Sequence, residues 1–178
     1  MANAVLISIR PEWVKKILAG EKTVEIRKTR PRLKVPFKCY IYCTKGDYYP
    51  KDFAFSNVPE AFTAQAFGNV VAEFICDSVK CIMEEQFVVK EDAEKALEGS
   101  LMTINQAKNY AKWKNGTPHY ECKDLYAWHI SNLKIYDDPK QLSGFKGLRK
   151  TKFGYAPVEI KRPPQSWRYV EEMEDGDG

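Results

Sequence analysis

The order of strand-like and helix-like segments constrains this chain more than any other feature of its sequence. Patterns typical of strands occur at residues 5–9, 22–28, 37–44, 68–79, 124–136 and 167–170, and helical patterns occur at 11–20 and about 91–114. A doubly wound parallel sheet needs a helical crossover after most of its strands. Because so few crossovers are available, the sequence predicts an α+β fold, a small and mainly antiparallel β-barrel with helices packed at its ends.

Charged side chains in two of the predicted strands, 22–28 and 68–79, are candidates for a site. In residues 22–28 apolar and polar positions alternate, so one face of the strand receives three polar side chains, which are Thr23, Glu25 and Arg27. In residues 68–79 an acidic side chain, Glu73, lies among apolar neighbours. A buried charge is costly unless it is paired, so both places are candidates for a site.

The other boundaries follow from turn residues and composition. Residues 45–66 are predicted to be an aromatic, proline-containing loop, and the helical region is expected to break near Gly99 and Ser100. Asp137, Asp138 and Pro139 are expected to end the strand at 124–136. Residues 146–162 are predicted to be a basic loop. We expect one domain over residues 1–170, followed by a disordered acidic tail at 171–178.

The charge is basic and unevenly distributed. Residues 10–38 contain ten Lys or Arg and three Glu, and residues 140–168 contain eight basic residues and one acidic residue. Clustered positive charge attracts phosphates and makes binding depend on salt. A solvated surface without a partner explains the charge equally well.

Cysteine use and hydropathy indicate a soluble, cytoplasmic protein. The five cysteines include no CxxC pair and the chain has two histidines, so reduced thiols are expected and neither a metal nor a cofactor is predicted. The N-terminus lacks the features of a signal peptide, and no run approaches the roughly 18 apolar residues of a membrane span.

Three segments resemble a known family. They are LISIRPEWVKKILAGEKTVEIRKTRP, GNVVAEFICD and LYAWHISNLKIYDDP. They resemble the strand–helix–strand signature, the second recognisable strand and the late aromatic strand of ASCH domains, and together they cover most of residues 5–139. The resemblance implies a PUA-like fold, in which residues 84–121 form a helical insertion. It also implies that the chain is a bacterial family member of the phage or prophage type.

The resemblance also implies a cleft between the barrel and the first helix that binds RNA or nucleotides. Its positions here are Lys22, Glu25 and Arg27. One branch of the family, the acetylcytidine amidohydrolases, uses a Lys at the Lys22 position, a Thr three residues later and a distant Glu. Glu25 stands where that Thr would be, so the catalytic set is incomplete, and Glu73 is the candidate for the distant carboxylate.

Each candidate residue has a structural alternative. For an enzyme the catalytic candidates are Lys22, Glu25 and Glu73, and for a binding protein the contacts are Lys22, Glu25, Arg27, Arg10, Tyr126 and Trp128. Lys22, Glu25 and Arg27 can instead form surface ion pairs, Glu25–Arg27 or Lys22–Glu25, of little energetic value. Glu73 fits the polar face of a strand equally well, and aromatic strand residues are more often core than stacking platforms.

Most of the other residues singled out in the sequence are assigned structural roles. Cys43 is interpreted as a structural thiol, and His129 as a hydrogen-bonded structural histidine. Ser8 and Thr44 lie at strand ends that border the cleft. The generic phosphate contacts, if nucleic acid binds, are Arg30, Arg32, Lys34, Arg149, Lys150 and Lys152.

Three functions remain open from the sequence. The first is a module that binds RNA or a nucleotide, with the basic segments holding the backbone. The second is a hydrolase of a modified nucleoside, or a nuclease, that uses Lys22 and a carboxylate. The third is a protein–protein adaptor of phage origin that uses the aromatic loop at 45–66.

Overall fold

A computed structural model describes residues 3–46, 52–83, 92–112 and 124–173. Within these residues the chain forms eight strands and four α-helices, which confirms the predicted α+β class. The strands are β1 Asn3–Ile9, β2 Val24–Arg27, β3 Phe37–Cys43, β4 Val70–Met83, β5 Leu125–Lys140, β6 Lys146–Thr151, β7 Gly154–Glu159 and β8 Trp167–Glu171. The helices are α1 Pro11–Leu18, α2 Glu60–Ala66, α3 Ala93–Leu97 and α4 Ile104–Tyr110.

The described residues form two compact units. Unit 1 takes its residues from 1–20, 37–75 and 132–178, and unit 2 takes its residues from 21–36 and 76–131. The strand order is β5–β4–β3–β1–β8–β6–β7 in unit 1 and β2–β5–β4 in unit 2, because the long strands β4 and β5 contribute to both. Within the described chain β2 and β7 are the two ends of this strand order, so they are the edge strands.

Unit 1 is built around β1. This strand pairs in parallel with β3, with Ile7 opposite Ile41, and antiparallel with β8, with Leu6 opposite Arg168. Helix α1 begins at Pro11, where the missing N–H is not needed, and buries its apolar face. A core cluster of this unit consists of Ala4, Leu6, Tyr40, Tyr42, Val70, Tyr136, Phe145, Ile160 and Val170.

Unit 2 contains the β2–β5 pair, which packs on one face against the short helices α3 and α4. The break predicted in the helical region is confirmed, since Gly99 (φ 76) separates α3 from α4. Its carbonyl oxygen accepts hydrogen bonds from the backbone N–H groups of Thr23 (2.8 Å) and Val24 (3.1 Å). The core cluster of this unit consists of Val24, Ile26, Ile82, Met83, Ala93, Ala96, Leu97, Ala107, Ala111, Leu125 and Ala127.

Two predicted boundaries at the C-terminal end were wrong. The segment expected to end β5 is part of the strand, which continues to Lys140, with buried Tyr136 anchoring it in the unit 1 core. The predicted basic loop at 146–162 is mostly the β6–β7 hairpin. Pro157 is tolerated there because β7 is an edge strand, where one row of N–H groups has no ladder partner.

Three further segments differ in length from the sequence prediction. The predicted loop at 45–66 contains helix α2, which begins directly after Pro59, and residues 47–51 lie outside the described chain. Strand β4 continues to Met83, and β8 includes Glu171, the first residue of the predicted tail. Residues 84–91 and 113–121 of the predicted insertion lie outside the described residues, as do 122–123 and residues 174–178 of the tail.

Candidate functional site

Glu25 is a carboxylate held between two cations. Its Oε2 atom lies 3.3 Å from Nζ of Lys22, and its Oε1 atom lies 2.9 Å from Nη2 of Arg27. The three side chains belong to unit 2, and the residues are only 4 % (Lys22), 7 % (Glu25) and 8 % (Arg27) exposed. The ion pairs predicted as the structural alternative are therefore present, but they are buried. The small contribution that exposed ion pairs make to stability does not apply to them.

Lys22 is fixed by backbone oxygens as well as by Glu25. Its Nζ donates hydrogen bonds to the carbonyl oxygens of Val24 (2.7 Å) and Ser100 (2.9 Å). Burial lowers the pKa of Lys22 from its usual value, and the neighbouring carboxylate of Glu25 partly opposes this shift. The ammonium is thus held in one position and is easier to deprotonate than an exposed lysine.

Ser100 is a site residue that the sequence did not reveal. It is fully buried in the turn after α3, and its Oγ accepts a hydrogen bond from the N–H of Met102 (3.1 Å). The sequence indicated a helix break at this position, but no local pattern indicates that its carbonyl oxygen meets a lysine 78 positions earlier.

Four predicted site residues share one face of the β2–β5 pair. Glu25 lies opposite Trp128, and Arg27 lies opposite Tyr126. Side chains that are directly opposite in an antiparallel pair point to the same side of the sheet. The alternate residues, including Val24, Ile26 and Ala127, point to the other side and join the unit 2 core. The polar face predicted for residues 22–28 is therefore a mixed polar and aromatic face.

A basic groove of about 670 Å³ begins where β2 ends. We use this name for the cavity lined by Lys28, Thr29, Arg30, Pro31, Arg32, Leu33, Asp124 and Tyr126. Its lining contains three cations and one carboxylate, so it favours an anionic ligand. Arg30 and Arg32 were predicted as phosphate contacts, and the structure puts them in one cavity with Tyr126.

Tyr126 forms one wall of this groove through two contacts. Its hydroxyl donates a hydrogen bond to Oδ2 of Asp124 (2.9 Å), and the guanidinium of Arg30 lies 5.7 Å from its ring centroid. Partial burial, together with the Asp124 carboxylate, raises the pKa of Tyr126 to about 12. The hydroxyl is therefore a neutral hydrogen-bonding group at physiological pH.

Glu73 and Arg10 belong to unit 1. The Glu73 carboxylate accepts a hydrogen bond from Tyr136 Oη (2.7 Å) and lies 3.8 Å from Nζ of Lys38. Arg10 is exposed, and its carbonyl oxygen accepts hydrogen bonds from the first turn of α1. Both carboxylate oxygens of Glu73 thus have partners within its own unit.

Three further residues singled out in the sequence have structural contacts. The Ser8 hydroxyl donates to the carbonyl oxygen of Pro164 (2.6 Å). Burial raises the pKa of the Cys43 thiol to about 12, which keeps it protonated and poorly nucleophilic. His129 Nδ1 lies 2.7 Å from Oδ1 of Asp77, and this hydrogen bond lowers the pKa of that carboxyl group.

The described part of the chain has neither a metal-binding cluster nor a membrane-spanning helix. It contains no group of three or more His, Cys, Asp and Glu side chains placed to hold a metal ion. Each of its helices is too short or too polar to cross a bilayer.

Comparison with known proteins places the chain among ASCH domains. The model of the ASCH domain family matches residues 7–140. A serine-to-alanine mutant of an ASCH protein from Zymomonas mobilis has a similar structure, with a TM-score of 0.52 and 15% sequence identity over 95% of this chain and 89% of that chain. A crystal structure of ASCH from the same organism gives a TM-score of 0.49 at 16% identity, over 95% and 88% of the two chains. No curated protein matches the sequence.

Proposed function

The chain belongs to the ASCH domain family, and from that membership we propose that unit 2 binds single-stranded RNA or a nucleotide. The base is bound near the face that carries Arg27 and Tyr126, and the phosphates are bound in the basic groove. The protein acts in the cytoplasm, where reduced cysteines persist. The buried pairing of Glu25 with Lys22 orients the guanidinium of Arg27.

The position of Tyr126 is the observation that carries this proposal. It lies opposite Arg27 in the strand register, and it also lines the basic groove. A ring beside a guanidinium can stack on a base, while neighbouring cations hold the sugar–phosphate backbone. The groove cations supply affinity without reading sequence, and the Arg27–Tyr126 pair contacts the base.

Salt-dependent binding tests the groove. We would measure fluorescence binding of short single-stranded RNAs and free nucleotides at low and moderate salt, comparing the native protein with Arg30→Ala. Loss of one phosphate contact should weaken RNA binding and reduce the slope of log K against log salt by about 0.7. Lys34 was also predicted as a phosphate contact, but it is an exposed cation of the same segment that does not line the groove, so Lys34→Ala is the matched control.

Two results would count against the binding function. Equal effects of Arg30→Ala and Lys34→Ala would mean that net charge, and not the groove, attracts RNA. If no RNA or nucleotide binds, and a protein binds with little dependence on salt, the adaptor hypothesis replaces this one.

A hydrolase is the second candidate, and the burial of Lys22 favours it. A desolvated lysine has a larger neutral fraction, and a neutral amine can accept a proton from an attacking water. Glu25, 3.3 Å away, is then the carboxylate that holds the resulting ammonium. The test is release of acetate from acetylcytidine, and cleavage of RNA, by the native protein and by Lys22→Met. Activity that is lost in a folded Lys22→Met protein supports an enzyme, and no activity in the native protein rejects it.

A further inference from the structure

The β6–β7 hairpin of unit 1 exposes aromatic rings. Phe153 at the hairpin tip is 89 % exposed, and Tyr155 at the start of β7 is 44 % exposed. The ring of Tyr155 packs edge-on against Tyr169 (5.9 Å between centroids), which packs against Trp167 (5.3 Å). The two contacts join the hairpin to β8 through a row of three rings that are at least partly exposed.

Two lysines lie beside the exposed rings of the hairpin. Lys150 pairs with Tyr155 in the β6–β7 register, so both side chains point to the same side of the sheet. The Nζ atom of Lys152 lies 4.9 Å from the ring centroid of Phe153. Arg149, Lys150 and Lys152 are exposed, and Glu159 is the one acidic residue between positions 140 and 168. We call these rings and the two lysines together the aromatic hairpin surface: Lys150, Lys152, Phe153, Tyr155, Trp167 and Tyr169.

We propose that the aromatic hairpin surface is a second binding site for single-stranded nucleic acid, where bases stack on Phe153 and Tyr155 and phosphates contact Lys150 and Lys152. Aromatic rings beside cations bind single strands with little sequence preference, because every base has a face that can stack. This inference rests on the proposed function, and it adds to the unit 2 site a second site that only a longer strand needs. It lies outside residues 7–140, which the family model matches.

Pairing with a strand of a protein partner is a poorer explanation of this surface. β7 is an edge strand, and edge strands can add a strand from another chain. Pro157 lies in the middle of β7, where it removes a backbone donor, and proline is a common means of blocking such pairing. The positive charge of the hairpin fits a polyanion better than a peptide of mixed sequence.

A length series of RNA tests the second site. The probes are uridine monophosphate and labelled oligouridines of about 4 and about 16 nucleotides, which bracket the usual site sizes. We expect Tyr155→Ala to weaken binding of the longer strand roughly 5- to 150-fold, as expected for the loss of one stacked base. Tyr155→Phe keeps the ring and should bind like the native protein. Lys150→Glu, a second variant on the same face, should also weaken binding of the longer strand.

The outcome separates this site from the unit 2 site. Tyr155→Ala should leave binding of the mononucleotide unchanged, whereas Arg30→Ala should weaken it. If the native protein binds only the longer strand and Tyr155→Ala abolishes that binding, the hairpin site stands and the unit 2 proposal fails. If folded Tyr155→Ala and Lys150→Glu bind the longer strand like the native protein, the hairpin proposal is overturned.

Discussion

The ammonium of Lys22 lies 3.3 Å from the carboxylate of Glu25, and both side chains are almost completely buried. Removing one partner of a buried ion pair leaves the other charge without compensation, which costs about 3–5 kcal/mol. Arg27 also contacts this carboxylate, so two cations would be left beside one neutral group. The pair should therefore be far more important for stability than an exposed pair at the same distance.

Replacing Glu25 tests this directly. Glu25→Gln should lower the free energy of unfolding, measured in urea, by about 3–5 kcal/mol. Glu94→Gln changes an exposed carboxylate of unit 2 and should stay within about 0.5 kcal/mol of the native protein. Equal stability of the two variants would contradict the burial of the ion pair.

Two glycines with the same backbone conformation should respond differently to alanine. Gly20 (φ 75) and Gly99 (φ 76) both lie in the left-handed region, where a side chain costs roughly 1–2 kcal/mol. A Cβ atom on Gly20 would meet open space, whereas one on Gly99 would collide with the Thr23 hydroxyl. Gly99→Ala should therefore be more destabilising than Gly20→Ala in urea unfolding, by at least about 1 kcal/mol.

Such a difference would show that Gly99 has a packing role at the start of β2. Equal losses for the two variants would mean that the backbone conformation alone requires glycine at both positions.

The hydrogen bond from Tyr136 to Glu73 should stabilise unit 1. Hydrogen bonds to charged groups contribute about 1.5–3 kcal/mol, and Tyr136→Phe removes this donor while keeping the ring. Tyr155→Phe removes an exposed hydroxyl and is the control. Thermal unfolding should show a clearly lower Tm for Tyr136→Phe alone, and an unchanged Tm would mean that this hydrogen bond contributes little.

Cys43 should make stability depend on pH above about 9. Burial raises the thiol pKa from 9.0 to about 12, so the folded state holds its proton more tightly than the unfolded state. The stabilisation is complete below pH 9 and is lost as the pH rises from 9 towards 12. Between pH 8 and pH 10 the native protein should therefore lose more stability in urea than Cys43→Ala, by about 1 kcal/mol.

Val71→Ala is the control for this measurement, because it removes part of a buried side chain but no titratable group. It should show the same loss of stability between the two pH values as the native protein. A loss in Cys43→Ala as large as the native one would mean that the thiol ionises equally easily in both states.

Residue order alone determined the fold class, most strands and the polar face of β2. Alternation with a period of two is a local property, so residues 22–28 reveal which side chains share a face before any partner is known. The break at Gly99 was also predicted from the sequence, because turn propensity is a local property. Local signals failed for the β6–β7 hairpin and the end of β5, because pairing with neighbouring strands outweighed the turn propensities of Gly154, Pro157 and Pro139.

The tertiary structure decided the environment of each charge. The sequence placed Lys22, Glu25 and Arg27 near one another but could not show that all three are buried, since burial depends on segments that are distant in the chain. Two other features also depend on segments that are distant in the chain. They are the contact between Lys22 and the Ser100 carbonyl oxygen, and the groove that Arg30 and Tyr126 line together. A side-chain pattern has a short period that the sequence displays, whereas the solvation of a charge is set by every segment that packs around it.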